Sequence, residues 1–269
     1  PPHHKMSGAV AWRSLKVTPT QLNLFNTFRN GQCWGWRETQ DGCFAGAIGR
    51  RLFILRQTES DVVYRTLASS DSSSSSSSTA ATDLEALHDF FQLETDLAPL
   101  HARWSRGNSK SNKNMAIICQ ALQGMRVARQ DPVECLFSFI VSSNNNITRI
   151  GNILGHWRRS YGEHLVTTDA ESHTELRPHN DPREDSVAYF AFPTLERLAQ
   201  CTKEDFYAKG TPYGAGYRAS FLVNSANKLL ELGGREFLLG LRKETAPLVV
   251  REQLVTHFDG VGPKVADCV

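Results

Sequence analysis

The chain has 269 residues, 40% of them hydrophobic, enough for one large domain or two modest ones with real cores. Its 30 Lys and Arg residues against 28 Asp and Glu leave a net charge of +2, so nothing in the average charge marks a nucleic-acid binder and any such contact must come from local patches. No run of about 18 apolar residues is present, which excludes a membrane-spanning helix as an expectation, and no secretory signal is read at the start.

Elements follow in chain order. The chain opens Pro1-Pro2-His3-His4-Lys5 rather than with methionine and stops at Val269, and it is read as incomplete at both ends, with residues 1–11 a disordered tail. Cys43 to Ile48, a Gly49-Arg50-Arg51 turn and Leu52 to Leu55 read as a β-hairpin, and Val62 to Leu67 as a further strand, from their β-branched and aromatic content. The serine run Ser72 to Ser78 has no apolar group to bury, which predicts a disordered loop over about 69–80. Thr82-Asp83-Leu84-Glu85 fits a capping box in front of a helix carrying Leu84, Leu87, Phe90 and Phe91 on one face. Asp131-Pro132 has the cap-then-proline start of another helix. That helix, through Leu136, Phe137, Phe139, Ile140 and Val141, is apolar nearly all round and should be central. A polar insert at about 167–186 reads as a second flexible loop, and a helix through Phe221 and Leu229 closes at Gly233-Gly234. Strands first and helices after give an α+β chain, divided into an N-terminal domain over 12–130 and a helical domain over 131–269.

Six cysteines (Cys33, Cys43, Cys119, Cys135, Cys201, Cys268) are scattered without C-x-x-C or zinc-spaced histidines. They read as reduced core thiols of an intracellular protein, with no metal or cofactor required.

Four stretches carry chemistry. Gly260-Val261-Gly262-Pro263-Lys264-Val265 is a glycine hairpin leading into a helix. Its glycines let backbone approach a phosphate, and unpaired N–H groups at the helix start attract one. Lys264, partly desolvated against the hairpin, would supply a free amine, the form that attacks carbon. Asp267, three residues on, reads as structural, an ion pair or a cap. Ser142-Ser143-Asn144-Asn145-Asn146-Ile147-Thr148-Arg149 places amides and an arginine where an apolar helix ends, able to bond base edges and phosphates. Gly214-Ala215-Gly216-Tyr217-Arg218 offers a wedge and a cation. In Gly31-Gln32-Cys33-Trp34-Gly35-Trp36-Arg37 the aromatics suit a core and Gly31 a bare carbonyl. Taken singly, the second and third stretches read equally well as a helix cap and a turn.

Together they resemble eukaryotic 8-oxoguanine DNA glycosylases. The similarity runs from Trp12-Arg13-Ser14 to the last residue and is densest at Arg129 to Ile140, at the Ser-Ser-Asn-Asn-Asn segment, at Gly216 to Ala219 and at Gly260 to Cys268. The resemblance implies an N-terminal antiparallel β domain packed on a helical domain with a helix-hairpin-helix. It implies a monomer acting on double-stranded DNA with 8-oxoguanine opposite cytosine, in the nucleus and mitochondria, by base flipping and lysine Schiff-base chemistry. By the same resemblance Lys264 is the nucleophile, and Gly31 and Cys268 meet the flipped base. Asn144, Arg149 and Arg218 hold the orphaned cytosine, Tyr217 fills the gap, and Gly260, Gly262 and Val265 clamp the backbone. Carbonyls of Thr256, Phe258 and Val261 would suit a hairpin cation.

The sequence also departs from the family. Phe258-Asp259 stands where Leu-Pro is usual, Pro263 where threonine is frequent, and Trp34 where phenylalanine is usual. The family's catalytic aspartate falls beyond Val269. A binding-only chain without excision activity is therefore the alternative from another class. An alkylated-base glycosylase of the same superfamily is disfavoured by Lys264.

Overall fold

The computed structural model describes residues 11–68, 76–107, 110–169, 175–176 and 186–269, with the side chains of 68, 76–81 and 175–176 left out. The tail over 1–10, the first part of the serine run and most of the 167–186 insert lie outside the described residues. The chain divides into two compact units: residues 1–129 with 165–189, and residues 130–164 with 190–269. The second stretch of the first unit is a return that the linear boundary after residue 130 did not anticipate.

The first unit holds β1 (Arg13–Ser14), α1 (Leu24–Phe28), β2 (Trp36–Glu38), β3 (Phe44–Ile48), β4 (Arg51–Gln57), β5 (Val62–Ala68), α2 (Ser76–Phe91), α3 (Leu97–Trp104) and α4 (Lys110–Ala121). Its antiparallel sheet runs β1-β5-β4-β3-β2. β4 is central, and its four apolar residues Leu52 to Leu55 are all buried because both faces of the sheet are covered. Phe53 and Leu55 join Phe28, Phe44, Phe90 and Phe91 on one face. Ile54 joins Cys43, Ala45 and the partly buried Trp12 and Tyr189 on the other.

The serine-run expectation is corrected in part: α2 begins at Ser76, so Ser76 to Ala80 are helical. Thr82 and Asp83 therefore sit inside that helix rather than capping its start; Asp83 is buried, 3.5 Å from Arg51. The helix was read from its apolar face, which is where expected, with Leu87, Phe90 and Phe91 buried.

α5 (Pro132–Ser142) and α6 (Ile147–Tyr161) belong to the second unit. β6 (His164–Asp169), β7 (Glu175–Leu176) and β8 (Ser186–Phe190) follow as a small sheet in the order β7-β6-β8, so the polar insert is strand where it is described. The second unit continues with α7 (Leu195–Ala199), α8 (Lys203–Tyr207), α9 (Arg218–Glu231), α10 (Arg235–Leu241), α11 (Pro247–His257) and α12 (Pro263–Ala266). Asp131 caps α5 through Val133 and Glu134 N–H, with Pro132 at its first position, and every residue from Pro132 to Val141 except Glu134 is buried. α9 closes with the N–H groups of Gly233 and Gly234 on the carbonyls of Leu230 and Leu229, a Schellman arrangement. No helix among the described residues is long and apolar enough to cross a membrane.

Candidate nucleic-acid interface and nucleophile

In the second unit, three connections converge: α5–α6, the glycine-rich turn before α9, and the α11–α12 hairpin. Arg218 ties the first two together. Its guanidinium is 2% exposed and donates from Nε to the Ser143 carbonyl at 2.7 Å, from Nη1 to Ala215 at 3.1 Å and from Nη2 to Asn144 at 2.8 Å and again to Ser143. Burial pulls its pKa below the ordinary arginine value, with Arg149 adding to that. Ser143 carries the link to the hairpin through an Oγ bond of 3.4 Å to the Gly260 carbonyl. Arg149, an exposed residue, donates to the Gly214 carbonyl at 3.1 Å.

The three asparagines divide their labour. Asn146 caps α6 by accepting from the Arg149 N–H, and Asn145 Nδ2 donates to the Val141 carbonyl while its Oδ1 accepts from Asn146 N–H. Those two are structural. Asn144 is the one held at positive φ (47°), and its exposed side chain makes no hydrogen bond among the described residues. Such a backbone is tolerated by asparagine and costs most other residues.

Tyr217 is 55% exposed, yet braced from below. Its ring lies 4.4 Å from the Arg218 guanidinium and edge-on to Phe221 at 5.9 Å, and its hydroxyl reaches the Ser143 carbonyl at 3.4 Å. Phe221 in turn packs under the hairpin. Gly260 has φ 76°, and a Cβ there would fall 2.5 Å from the Phe221 ring, so only glycine fits. Gly262 differs. Its φ is −93° and a Cβ would meet nothing within 4 Å, so the fold gives no packing reason for a glycine there. Among the described residues the N–H groups of Gly262, Lys264 and Val265 have no acceptor, and the open surface beside them suits an anion.

Lys264 stands in the first turn of α12, exposed and without an ion pair among the described residues. Partial desolvation against the hairpin was the expectation; instead the amine rests over an aromatic face, Nζ 5.4 Å from the centre of the Phe139 ring. Asp267 is structural, as its position suggested, in a forked pair with Arg251 at 2.7 and 2.9 Å. Asp259, the unusual acid before the hairpin, accepts from Asn224 Nδ2 at 2.7 Å. The Phe258 carbonyl accepts from Val261 N–H at 3.2 Å within the hairpin turn, and no group of His, Cys, Asp and Glu among the described residues could hold a metal ion. Val265 has a buried side chain, which leaves its backbone N–H as the polar group it can offer at the hairpin.

Cys268 is half-buried, and its carbonyl accepts from the Cys135 thiol at 3.4 Å. Burial first, and then the nearby Glu134 charge, push the Cys135 thiol up to about 12, which makes it an inert spacer rather than a nucleophile. In the first unit, Gly31 has φ 77° and its carbonyl accepts nothing among the described residues. It is held in place by its neighbour Gln32, whose Nε2 donates to the Thr27 and Arg126 carbonyls at 2.9 and 2.7 Å. Sequence reasoning missed Phe139, Ser143, Phe221 and Asn224. Phe221 alone had a local signal, one helical turn after Tyr217.

The chain thus has an antiparallel sheet unit and a helical unit that carries a glycine hairpin with a lysine at its exit. Residues 14–136 match the family model for the N-terminal domain of 8-oxoguanine DNA glycosylase. The chain is 35% identical over 266 residues to N-glycosylase/DNA lyase OGG1 of Arabidopsis thaliana, covering 98% of itself and 64% of that protein. It is 30% identical over 269 residues to the N-glycosylase/DNA lyase of Saccharomyces cerevisiae, with 95% and 64% covered. The chain thus spans somewhat less than two thirds of the length of these curated relatives. The structure of MBOgg1 with a low-affinity DNA ligand superposes at a TM-score of 0.72 and 25% identity, over 98% of this chain and 76% of that one. The fold is also that of Clostridium acetobutylicum 8-oxoguanine glycosylase/lyase, in a structure with double-stranded DNA containing cytosine opposite 8-oxoG (TM-score 0.70, 24% identity, 92% and 71% covered). The sequence likeness is thus to eukaryotic N-glycosylase/DNA lyases, and the fold likeness is to 8-oxoguanine glycosylase structures.

Proposed function

We propose that the protein removes 8-oxoguanine opposite cytosine from duplex DNA and acts as a β-lyase through Lys264. One observation carries the reading: an exposed amine with no ion-pair partner among the described residues, one residue beyond a hairpin whose Gly262, Lys264 and Val265 N–H groups are unspent. A phosphate on those N–H groups would fix the sugar beside the amine. The Nζ lone pair then forms a bond to C1′ and the glycosidic bond breaks, its electrons leaving with the base, which takes up a proton. The new ammonium gives up a proton and O4′ takes one as the C1′–O4′ bond opens, leaving a protonated imine to the sugar and a free 4′-hydroxyl.

The other sites fit the same reading. Asn144, Arg149 and Tyr217 surround the place where an extruded nucleotide leaves a gap, and cytosine offers amide-compatible edges. Gly31, with its unspent carbonyl, would accept from the N7–H that 8-oxoguanine has and guanine lacks. The similarity of the relatives, both N-glycosylase/DNA lyases, supports the assignment. Such an enzyme would act where genomic DNA is held, the nucleus and mitochondria, which tagging and microscopy would test.

Borohydride trapping on a duplex with 8-oxoguanine opposite cytosine tests the chemistry. A covalent adduct is expected, and none with Lys264→Ala; an adduct that survives the substitution overturns the lysine assignment. A second reading, duplex binding without excision, is favoured by one observation. The two acids nearest Lys264 in sequence are engaged elsewhere, Asp259 with Asn224 and Asp267 with Arg251. No adduct from the unaltered chain, with equal affinity for guanine and 8-oxoguanine duplexes, would establish that reading.

A further inference from the structure

We propose that Phe139 is a positioning residue for Lys264. The proposal rests on the assignment of Lys264 as the nucleophile. A lysine side chain has four rotatable bonds, and an exposed one samples many directions, most of them useless for attack on a single carbon. Here Nζ lies 5.4 Å from the ring centre of Phe139, within the reach of the attraction between an ammonium and the negative face of a ring.

The ring itself has almost no freedom. Phe139 is 6% exposed and lies on α5 between the buried Ser138 and Ile140, so what it presents to Lys264 is the small part of its surface that packing leaves open. Its own carbonyl accepts from Ser142 Oγ at 2.7 Å, which fastens the last turn of that helix. A fixed surface under a mobile amine pre-pays part of the entropy of orienting it, and a reaction that needs one approach direction gains accordingly. No other aromatic ring among the described residues stands under Lys264. The sequence placed Phe139 only in a central helix, because its role depends on α12 crossing that face.

The test has two arms on the same variants. In the first, lysines are reductively methylated with 13C formaldehyde, and the Lys264 resonance is identified by its loss in Lys264→Arg. That signal should be shifted upfield by the ring current and move to the position of an unstacked lysine in Phe139→Leu. If it does not move, the amine does not rest on the ring and the proposal is overturned, whatever the enzyme does. In the second arm, unmethylated Phe139→Leu should form the borohydride-trapped adduct about fivefold more slowly at saturating DNA, with duplex affinity unchanged, and Phe139→Tyr should restore the rate. A slowed Phe139→Tyr with normal thermal stability, or a Phe139→Leu as fast as the unaltered chain, overturns the positioning role. If the unaltered chain forms no adduct, the nucleophile assignment fails and the proposed role falls with it, while the resonance arm still decides the geometry.

Discussion

Two buried arginines, one in each unit, use the same chemistry to different ends. Arg126, in the first unit, donates to the carbonyls of Gln21, Gln92 and Thr95 at 2.6, 2.8 and 2.7 Å and to Gln21 Oε1 at 3.0 Å. Its own N–H donates to Thr27 Oγ1, and its carbonyl accepts from Gln32. Arg218, in the second unit, likewise donates only to carbonyls, those of Ser143, Asn144 and Ala215. Burial lowers the pKa of both. The difference lies in what surrounds them. Around Arg126 the neighbouring polar groups are spent on one another. Around Arg218 the exposed Asn144 side chain and the N–H groups of Gly262 and Lys264 are left over, without a partner among the described residues. A folded chain that keeps unpaired donors at one place and closes them at another separates support from contact, and the leftover groups mark the surface that a ligand completes.

Removing the arginines separates those roles, with the largest effects expected. Arg126→Met removes four hydrogen bonds and leaves the Gln21 and Thr95 carbonyls without a donor among the described residues, while Gln92 and Gln21 Oε1 keep the N–H groups of Thr95 and Leu97. The cost should be about 4 kcal/mol in urea unfolding of the first unit. It should leave the residual duplex affinity of the folded fraction unchanged. Arg218→Met leaves the Asn144 carbonyl without a donor among the described residues, while Ser143 and Ala215 keep the Tyr217 hydroxyl and the residue's own N–H. It should cost about 2–3 kcal/mol, with weakened duplex binding because the Asn144 backbone loses its support. The slope of log affinity against log salt should stay the same, since this guanidinium neutralises no phosphate while it holds carbonyls. A slope shallower by about one charge would mean that Arg218 leaves its carbonyls in the complex, and the parallel with Arg126 would break there.

The hairpin glycines sharpen the same contrast on a smaller scale. Gly260→Ala forces a Cβ toward the Phe221 ring at a positive φ, and about 2–3 kcal/mol of stability should be lost. Gly262→Ala has open space and an ordinary φ, so stability should change by less than about 0.5 kcal/mol. Duplex affinity should nevertheless fall about tenfold, because the methyl group occupies the surface that a phosphate would approach. Thermal melts with binding isotherms on both variants check this. Equal affinity for Gly262→Ala and the unaltered chain would remove the hairpin from the interface.

How much of this was legible in the sequence follows from how local each feature is. The hairpin β3–β4, the capped start of α5 at Asp131-Pro132 and the closure of α9 at Gly233-Gly234 are written in adjacent residues, and the structure has them where expected. The forked partner of Asp267 was foreseen in kind but not by name, because Arg251 sits on the preceding helix. The start of α2 was misplaced because serine's weak helix preference was allowed to outweigh the long apolar face that follows it. Arg218 was read as a cation that would hold the orphaned cytosine, and nothing nearby in sequence says that three carbonyls from two connections surround it. Arg126 was not flagged, since its acceptors come from residues 21, 92 and 95. Side chains whose partners are distant in sequence are visible only once the chain is folded.

The smallest expected effect comes from a contact that is closed like that of Arg126 but stands at the surface. Thr202 and Asp205 form a capping box at the start of α8: Asp205 Oδ2 accepts from Thr202 N–H at 2.7 Å, and the Thr202 hydroxyl accepts from Asp205 N–H. The backbone bond from Thr202, and then the bond from its hydroxyl, hold the Asp205 carboxyl below the ordinary carboxylate range. A group whose folded pKa is depressed contributes stability above its unfolded pKa of about 3.9, and that contribution is lost as the pH falls through the folded value. Because the side chain is exposed and screened by solvent, Asp205→Asn should cost no more than about 0.5–1 kcal/mol at neutral pH. The gap between variant and unaltered chain should be constant from pH 7 to 5 and close progressively below the ordinary carboxylate value. Urea midpoints at pH 7, 5 and 3 measure it. Duplex affinity should not respond at any of them, since the box leaves no donor over. A gap that widens toward low pH would require Asp205 to be protonated more readily in the folded chain, and the bonds from Thr202 could not then be what sets its charge.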